Sequence, residues 1–66
     1  MFSKNLKRTR LSRNLNQQKL ADILSVSVKT VSHWESGYSE PSLDLLIKLK
    51  NALDVTYEEL LEDKLI

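Results

Sequence analysis

The sequence predicts an all-α fold, a single domain of five helices over residues 1–66. Its one Gly and one Pro leave little room for the tight turns that connect strands. Apolar residues recur instead at helical spacing, in short runs that each follow a residue able to cap a helix. A chain of 66 residues is near the lower size limit for folding without disulfides or metals.

The composition excludes several functional classes. With no Cys and one His, the chain offers no disulfide framework, thiolate chemistry or conventional metal site, so we expect no metal and no cofactor. We also expect no enzyme, because no nucleophile with a base and no phosphate-cradling loop is recognisable. The apolar runs are shorter than the roughly 20 residues of a membrane span, and the first ten residues lack the apolar stretch of a signal peptide. The prediction is a soluble cytoplasmic protein without a membrane partner.

The first two helices are predicted from apolar spacing and a cap. Helix 1 is expected at about 3–14, with Leu6 and Leu11 facing inward and the basic residues mostly outward. Helix 2 is expected to begin after Asn16, whose side chain can accept from the helix N terminus. A flanking apolar pair, Leu15 with Leu20, can pack across this start.

Helix 3 is predicted at about 28–36, between a cap at Ser27 and Gly37, which suits the left-handed position that ends a helix. Val31 and Trp34 repeat at i, i+3 and should face inward. Trp34 is thus interpreted as a core residue rather than a base-stacking aromatic. A second apolar pair, Val26 with Val31, supports this start.

Helices 4 and 5 follow the same logic. Helix 4 should follow Pro41-Ser42, and helix 5 should start at Thr56, which forms a capping box with Glu59. A third pair, Val55 with Leu60, flanks the helix 5 start. Helix 4 is expected to be apolar on one broad side, made of Leu43, Leu46, Ile47 and Leu53 with Leu45, Leu49 and Ala52 beside them.

The run 17–37 has the spacing of a helix-turn-helix, because one short helix stops and another restarts within a few residues. Charge is divided around it: residues 1–34 carry a net charge of +6 and residues 35–66 a net charge of −5. A basic half that holds the second helix of the motif suits a polyanion, with the acidic half facing away. Ordinary solvated helix faces are the alternative.

Taken together, these residues resemble the phage repressor and Cro-like family of helix-turn-helix DNA-binding domains, the xenobiotic-response-element type, over nearly the whole chain. The resemblance implies the five-helix lambda-repressor-like fold with the helix-turn-helix at helices 2 and 3. Three positions depart from the family pattern: Ser25 and Asp54 replace usual glycines, and Lys50 replaces a usual Ala. The matching positions are Leu6, Arg10, Asn16, Gln17, Leu20, Ala21, Val26, Ser27, Val31, Trp34, Glu35, Gly37, Pro41, Ser42, Ala52, Leu53, Val55, Thr56, Leu60 and Leu61.

The resemblance implies that helix 3 enters the major groove of double-stranded DNA with its first residues against base edges. The expected base-reading residues are Val28, Lys29, Ser32 and His33. Lys29 can donate to guanine and Val28 can contact a thymine methyl group, whereas Ser32 and His33 can donate or accept. For Lys29 the alternative is a solvated helix residue, and for His33 it is a contact to phosphate or water only.

Phosphate contacts are expected from helix N-termini and hydroxyl groups. The expected phosphate-contacting residues are Gln17, Gln18, Thr30, Tyr38, Ser39 and Ser42. Arg8 and Arg13 are equally compatible with DNA contact and with simple solvation. The family pattern also implies a structural ion pair between Arg10 and Glu35.

We expect a repressor that binds a pseudo-palindromic operator as a homodimer, in a bacterial or phage setting. The region 56–66 is the expected dimerisation region, with Leu61, Leu65 and Ile66 as its apolar contacts, although the tail could instead fold back on helix 1 or fray. The alternative function is an antitoxin-type module that binds a partner toxin and regulates its own operon; an anti-repressor is another possible protein partner. The sequence is equally compatible with a complete small repressor and with part of a longer one.

Overall fold

In the computed structural model, which describes residues 1–62, five α-helices follow one another. They are α1 (Phe2–Ser12), α2 (Gln17–Leu24), α3 (Val28–Ser36), α4 (Leu43–Leu53) and α5 (Tyr57–Leu61). The predicted all-α class and the five-helix order are therefore confirmed. Among these described residues, no helix is long and apolar enough to span a membrane.

The starts of α2 to α5 are fixed by side-chain caps. The side chain of Asn16 accepts from Lys19 N, and the Ser27 and Ser42 hydroxyls cap α3 and α4 in the same way. At α5, Thr56 and Glu59 form the complete predicted capping box. Each cap satisfies an N–H group that has no partner within its own helix, which is why these four boundaries agree with the sequence prediction.

Three helices end in a left-handed residue, which turns the chain sharply towards the next helix. Gly37 ends α3 with φ of 81°, as predicted. Ser25 (φ 59°) and Asp54 (φ 54°) end α2 and α4 in the same conformation, although neither is a glycine. A side chain in this region costs roughly 1 kcal/mol, so the two departures from the family pattern are accommodated at modest cost.

The core lies where α1, α2 and α3 pack together and α4 and α5 close over them. Ala21 and Leu20 on α2 are completely buried, as is Val31 on α3, and Trp34 is 2% exposed. Trp34 is therefore a core residue, as predicted. The buried apolar set is Leu6, Leu20, Ala21, Leu24, Val31, Trp34, Leu49, Leu53, Val55 and Leu60.

The prediction that certain residues of α1 and α4 face inward is wrong for several of them. Leu11 is 54% exposed, because it is displaced by about 140° around α1 from the buried Leu6. On α4 the inward face is centred on Leu49 and Leu53, from which Leu43 (71% exposed) and Ile47 (40% exposed) point away. Helix 1 also spans 2–12 rather than 3–14, since Asn14 has a left-handed φ of 58° and cannot continue the helix.

Two polar side chains, Asn5 in α1 and Arg13 directly after it, tie the two C-terminal helices to α1. Asn5 is buried and donates from Nδ2 to the carbonyl oxygens of Leu60 and Glu62, at 3.0 Å each. Arg13 donates from Nε to the Leu53 carbonyl oxygen at 2.7 Å and from Nη2 to that of Asp54 at 3.0 Å. Both side chains satisfy carbonyl groups at a helix end, where no intrahelical donor is left.

Candidate nucleic-acid interface

The turn between α2 and α3 sets the angle at which α3 is presented. Ser25 adopts the left-handed conformation, Val26 N donates to Ala21 O at 3.0 Å, and Ser27 then caps α3. Ala21 is completely buried, and α2 packs against α3. The helix-turn-helix predicted at helices 2 and 3 is thus present, and its geometry is fixed by backbone hydrogen bonds and core packing.

The outer face of α3 carries the four residues predicted to read bases. Val28 is 39% exposed and Lys29 is exposed, whereas Ser32 and His33 are half-buried. The opposite face is anchored in the core by Val31 and Trp34. These four side chains therefore lie on the accessible part of α3, and the buried side of this helix is packed in the core.

The C-terminal end of α3 closes on Gly37 in a Schellman-type arrangement. Gly37 N donates to Trp34 O at 3.3 Å, and Tyr38 N donates to His33 O at 3.0 Å. Ser39 N also lies 3.4 Å from His33 O. Because their backbone N–H groups are used, Tyr38 and Ser39 can offer a phosphate only their hydroxyl groups.

A polar cluster of Arg10, Glu35 and Gln17 joins the first three helices behind this surface. Arg10 donates from Nε to Glu35 Oε2 at 2.6 Å and from Nη2 to Oε1 at 2.9 Å, and the two side chains are only 6% and 4% exposed. Arg10 Nη1 also donates to Leu15 O at 2.7 Å. The hydrogen bond to Glu35 raises the pKa of the Arg10 guanidinium against the opposing effect of burial, so Arg10 stays charged.

Gln17 takes part in the same cluster, which the sequence did not indicate. Its Nε2 donates to Glu35 Oε1 at 3.1 Å, so the first side chain of α2 is directed towards the end of α3. Gln18 donates instead to Asp22 Oδ1 at 2.9 Å along its own helix. The first N–H groups of a helix have no carbonyl partner within it. In α2 the N–H of Lys19 donates to the Asn16 side chain, which leaves those of Gln17 and Gln18 at the helix start.

The remaining predicted phosphate residues also have partners within the chain. The Thr30 and Ser27 hydroxyl oxygens are 2.9 Å apart, and the Ser42 hydroxyl accepts from Leu45 N at 3.3 Å. A hydroxyl that accepts an intrahelical N–H keeps its own proton available, so Ser42 can still donate outward.

Arg8 and Arg13, for which the sequence did not decide between DNA contact and solvation, both have hydrogen-bond partners within the chain. Arg8 donates from Nη2 to Asn5 Oδ1 at 2.9 Å and remains exposed. Arg13 is engaged by the end of α4, as described above. The roles of Asn5 and Arg13 were not predicted from the sequence. The available signal for Asn5 was its pairing with Thr9 at i, i+4, beside the inward Leu6.

Comparison with known proteins shows the family to which the chain belongs. The family model described as Helix-turn-helix matches residues 6–60, and the chain belongs to this family, which is of the Cro/C1 type. The family consists of DNA-binding transcription regulators rather than enzymes, and it binds double-stranded DNA. The resemblance inferred from the sequence is therefore confirmed.

Particular relatives are similar over almost the whole chain. The HTH-type transcriptional regulator YqaE of Bacillus subtilis is 40% identical over 62 residues, which cover 94% of this chain and 53% of YqaE. The HTH-type transcriptional activator BcrR of Enterococcus faecalis is 38% identical over 60 residues, which cover 91% of this chain and 29% of BcrR. The chain thus spans about half of the first relative and less than a third of the second.

The fold is also similar to a solved protein–DNA complex. The P22 c2 repressor protein in complex with a synthetic operator superposes with a TM-score of 0.88 at 25% identity, over 97% of both chains. The five helices are therefore arranged as in that repressor over nearly the whole length of both chains.

Proposed function

We propose that this domain is a transcriptional repressor that binds a pseudo-palindromic operator as a homodimer in the bacterial cytoplasm. The observation that carries the proposal is the presentation of α3. Val28 and Lys29 at its start are exposed, while Val31 and Trp34 fix its inner face in the core. A helix held in this way can enter the major groove without losing the packing that supports it.

Base recognition is assigned to Val28, Lys29, Ser32 and His33 from their chemistry. The Lys29 ammonium group makes no hydrogen bond within residues 1–62, so it is available to guanine O6 or N7. Val28 offers an apolar surface to a thymine methyl group. Ser32 and His33 follow one turn later and can exchange hydrogen bonds with base edges.

Phosphate contacts are assigned to the start of α2, to hydroxyl groups near both ends of α3 and to the hydroxyl group that caps α4. Gln17 donates one N–H to Glu35, which leaves its second N–H to donate to a phosphate oxygen of the DNA backbone. Backbone N–H groups in the first turn of α2 and the helix dipole favour an anion there. The further phosphate residues of the proposal are Gln18, Thr30, Tyr38, Ser39 and Ser42.

The charge distribution supports the same orientation. Arg10 is neutralised by Glu35, and Arg13 is occupied by carbonyl groups of α4, so neither is the main source of a DNA-directed field. The exposed cations of the first half remain: they are Lys4, Lys7, Arg8, Lys19 and Lys29. They all belong to the part of the chain that contains α3, and this excess of exposed positive charge favours a polyanion as its partner.

Binding-site selection from random DNA tests the proposal, with Lys29→Ala and Gln17→Ala beside the parent protein. Lys29→Ala should cost about 1–3 kcal/mol and relax the preference at one base pair, whereas Gln17→Ala should weaken all sequences alike. The matched control is Lys48→Ala, an exposed lysine on α4 outside the proposed interface. An unchanged preference for Lys29→Ala would remove Lys29 from the reading set, and failure of the parent to select any sequence would refute the proposal.

Dimerisation is assigned to α5 and the segment after it. Leu60 is completely buried, whereas the adjacent Leu61 is 48% exposed. The other two predicted contacts, Leu65 and Ile66, lie outside the described residues. A two-fold dimer would place two α3 helices about 34 Å apart, which predicts half-sites centred roughly 10 base pairs apart.

The dimer is tested with Leu61→Ser combined with deletion of Leu65 and Ile66. We expect a folded monomer in sedimentation, with operator affinity falling towards that of a half-site. The matched control is Leu11→Ser on α1, which removes an equally exposed leucine and should leave the dimer intact. A variant that still dimerises would refute this interface.

A protein partner, either a toxin or an anti-repressor, is the second candidate function. The exposed acidic residues Glu58, Glu59 and Glu62 at the α5 end of the domain favour it, because they suit a basic protein surface better than DNA. A toxin-like reading frame beside the gene, whose product co-purifies with this protein, would support this candidate. If no such reading frame is found, the repressor is the one candidate function that remains.

A further inference from the structure

The hydrogen bonds that end α3 bring Tyr38 back over His33. Gly37 adopts φ of 81°, and Tyr38 N then donates to His33 O at 3.0 Å. In this type of helix ending, the side chain of the residue after the glycine commonly contacts the residue five positions earlier. The chain therefore fixes the position of Tyr38 relative to His33 through its backbone.

The two aromatic rings are in contact. Their centroids are 4.7 Å apart and the ring planes are inclined by 48°. This separation is within the range in which tilted aromatic pairs attract each other. His33 is half-buried, whereas Tyr38 is 79% exposed, so Tyr38 contributes little to the core and its ring contact is with a residue of the proposed reading surface.

We propose that Tyr38 is a positioning residue that holds the His33 imidazole in one orientation and thereby sharpens base discrimination. The inference rests on the proposed function and deepens it, because it assigns a specificity role to a residue outside α3. An imidazole that is already held loses less rotational freedom when it meets a base edge. It also presents its nitrogen atoms in a defined direction, which a directional hydrogen bond requires.

This role differs from the phosphate contact assigned above to the Tyr38 hydroxyl. A phosphate contact needs the hydroxyl group and would affect every DNA sequence equally. Positioning needs the ring and would affect one base pair. Tyr38→Phe keeps the ring and removes the hydroxyl, whereas Tyr38→Ala removes both, so the two substitutions separate the roles.

The ring contact is tested first in the free protein by NMR. His33 is the single histidine of the chain, so its imidazole proton signals need no further assignment. Tyr38→Phe should keep the ring-current shift of these signals, and Tyr38→Ala should abolish it. The matched control is Tyr57→Ala, which removes the other tyrosine, whose ring lies 5.5 Å from Lys50 Nζ. Unchanged imidazole signals in Tyr38→Ala would overturn the inference.

Specificity is then measured by binding-site selection with the parent, Tyr38→Phe, Tyr38→Ala and His33→Ala. Tyr38→Phe should keep the parent preference. Tyr38→Ala should lower discrimination roughly 2- to 10-fold at the base pair that His33→Ala affects, and should add nothing in a His33→Ala background. Tyr38→Leu, which keeps an apolar side chain without a ring, replaces Tyr38→Ala if that variant unfolds.

Each contrary result has a distinct meaning. Equal loss on all sequences with both Tyr38→Phe and Tyr38→Ala would establish the hydroxyl contact and overturn the positioning role. A His33→Ala variant with unchanged base preference would overturn it as well, while leaving DNA binding intact. A parent protein that selects no sequence would refute the proposed function itself, and the inference with it.

Discussion

Replacing Glu35 by Gln should destabilise the domain far more than loss of a surface ion pair would. The substitution keeps the shape of the side chain but leaves the Arg10 guanidinium charged and 5% exposed without its counter-ion. Removing one partner of a buried pair costs about 3–5 kcal/mol, whereas an exposed pair contributes about 0–1 kcal/mol. Sixty-six residues correspond to a total stability of roughly 3–10 kcal/mol, so this single change removes a large part of it.

Urea unfolding measures this loss directly. Trp34 is the single tryptophan and is buried, so its fluorescence reports on the core between α1 and α3. With an m value of about 1 kcal/mol per M, the loss of about 3–5 kcal/mol should lower the urea midpoint of Glu35→Gln by about 3–5 M. The matched control is Lys48→Met, an exposed position, which should change stability by no more than about 0.5 kcal/mol.

A double-mutant cycle with Arg10→Met separates the pair from other effects. The double variant buries no uncompensated charge, so it should be more stable than the sum of the single losses predicts, by about 2 kcal/mol or more. The raised pKa of Arg10 means that its stabilising contribution is present below its usual pKa and is lost only in strong alkali, so the coupling should not change between about pH 7 and 9. A coupling below about 0.5 kcal/mol would refute the reasoning.

Three further predictions concern stability and are checked by the same urea assay. Asn5→Ala should cost about 1–3 kcal/mol because the Leu60 and Glu62 carbonyl groups lose their donor, whereas the exposed Asn51→Ala should be nearly neutral; equal losses would contradict this. Ser25→Gly should stabilise by up to about 1 kcal/mol by relieving its positive φ, and Gly37→Ala should destabilise by a similar amount; opposite signs would contradict the strain argument. Thr56→Ala should cost about 1 kcal/mol through loss of the capping box, and an unchanged midpoint would show that α5 does not depend on its cap.

The sequence predicted the helix boundaries well because they depend on local chemistry. The caps at Asn16, Ser27, Ser42 and Thr56 each accept from the N–H group three residues further on, so both partners lie within one short window of sequence. Gly37 ends α3 for an equally local reason. Residues whose structural role is decided within one turn of helix can thus be interpreted without knowledge of the tertiary fold.

Side-chain orientation and long-range polar contacts were harder to predict. Leu11 and Leu43 are as apolar as the core leucines, yet both are exposed. The faces of α1 and α4 that are buried are those that carry Leu6 and Leu49. Asn5 lies 55 residues from the carbonyl group of Leu60 that it satisfies, and no local pattern identifies that partner. Such roles depend on how the helices pack, which the apolar spacing of a short helix does not define uniquely.

The Arg10, Glu35 and Gln17 cluster shows how stability and the proposed recognition surface are connected in so small a domain. Glu35 holds Arg10, which bonds the loop carbonyl of Leu15, and it also holds Gln17 at the start of α2. One carboxylate thus joins the scaffold of α1 to the side chain assigned to phosphate. Glu35→Gln should therefore weaken DNA binding on all sequences even under conditions where the variant is fully folded, because Gln17 loses its charged partner, whereas the base preference set by α3 should persist. A folded Glu35→Gln variant with parental affinity would show that Gln17 is positioned by its helix alone.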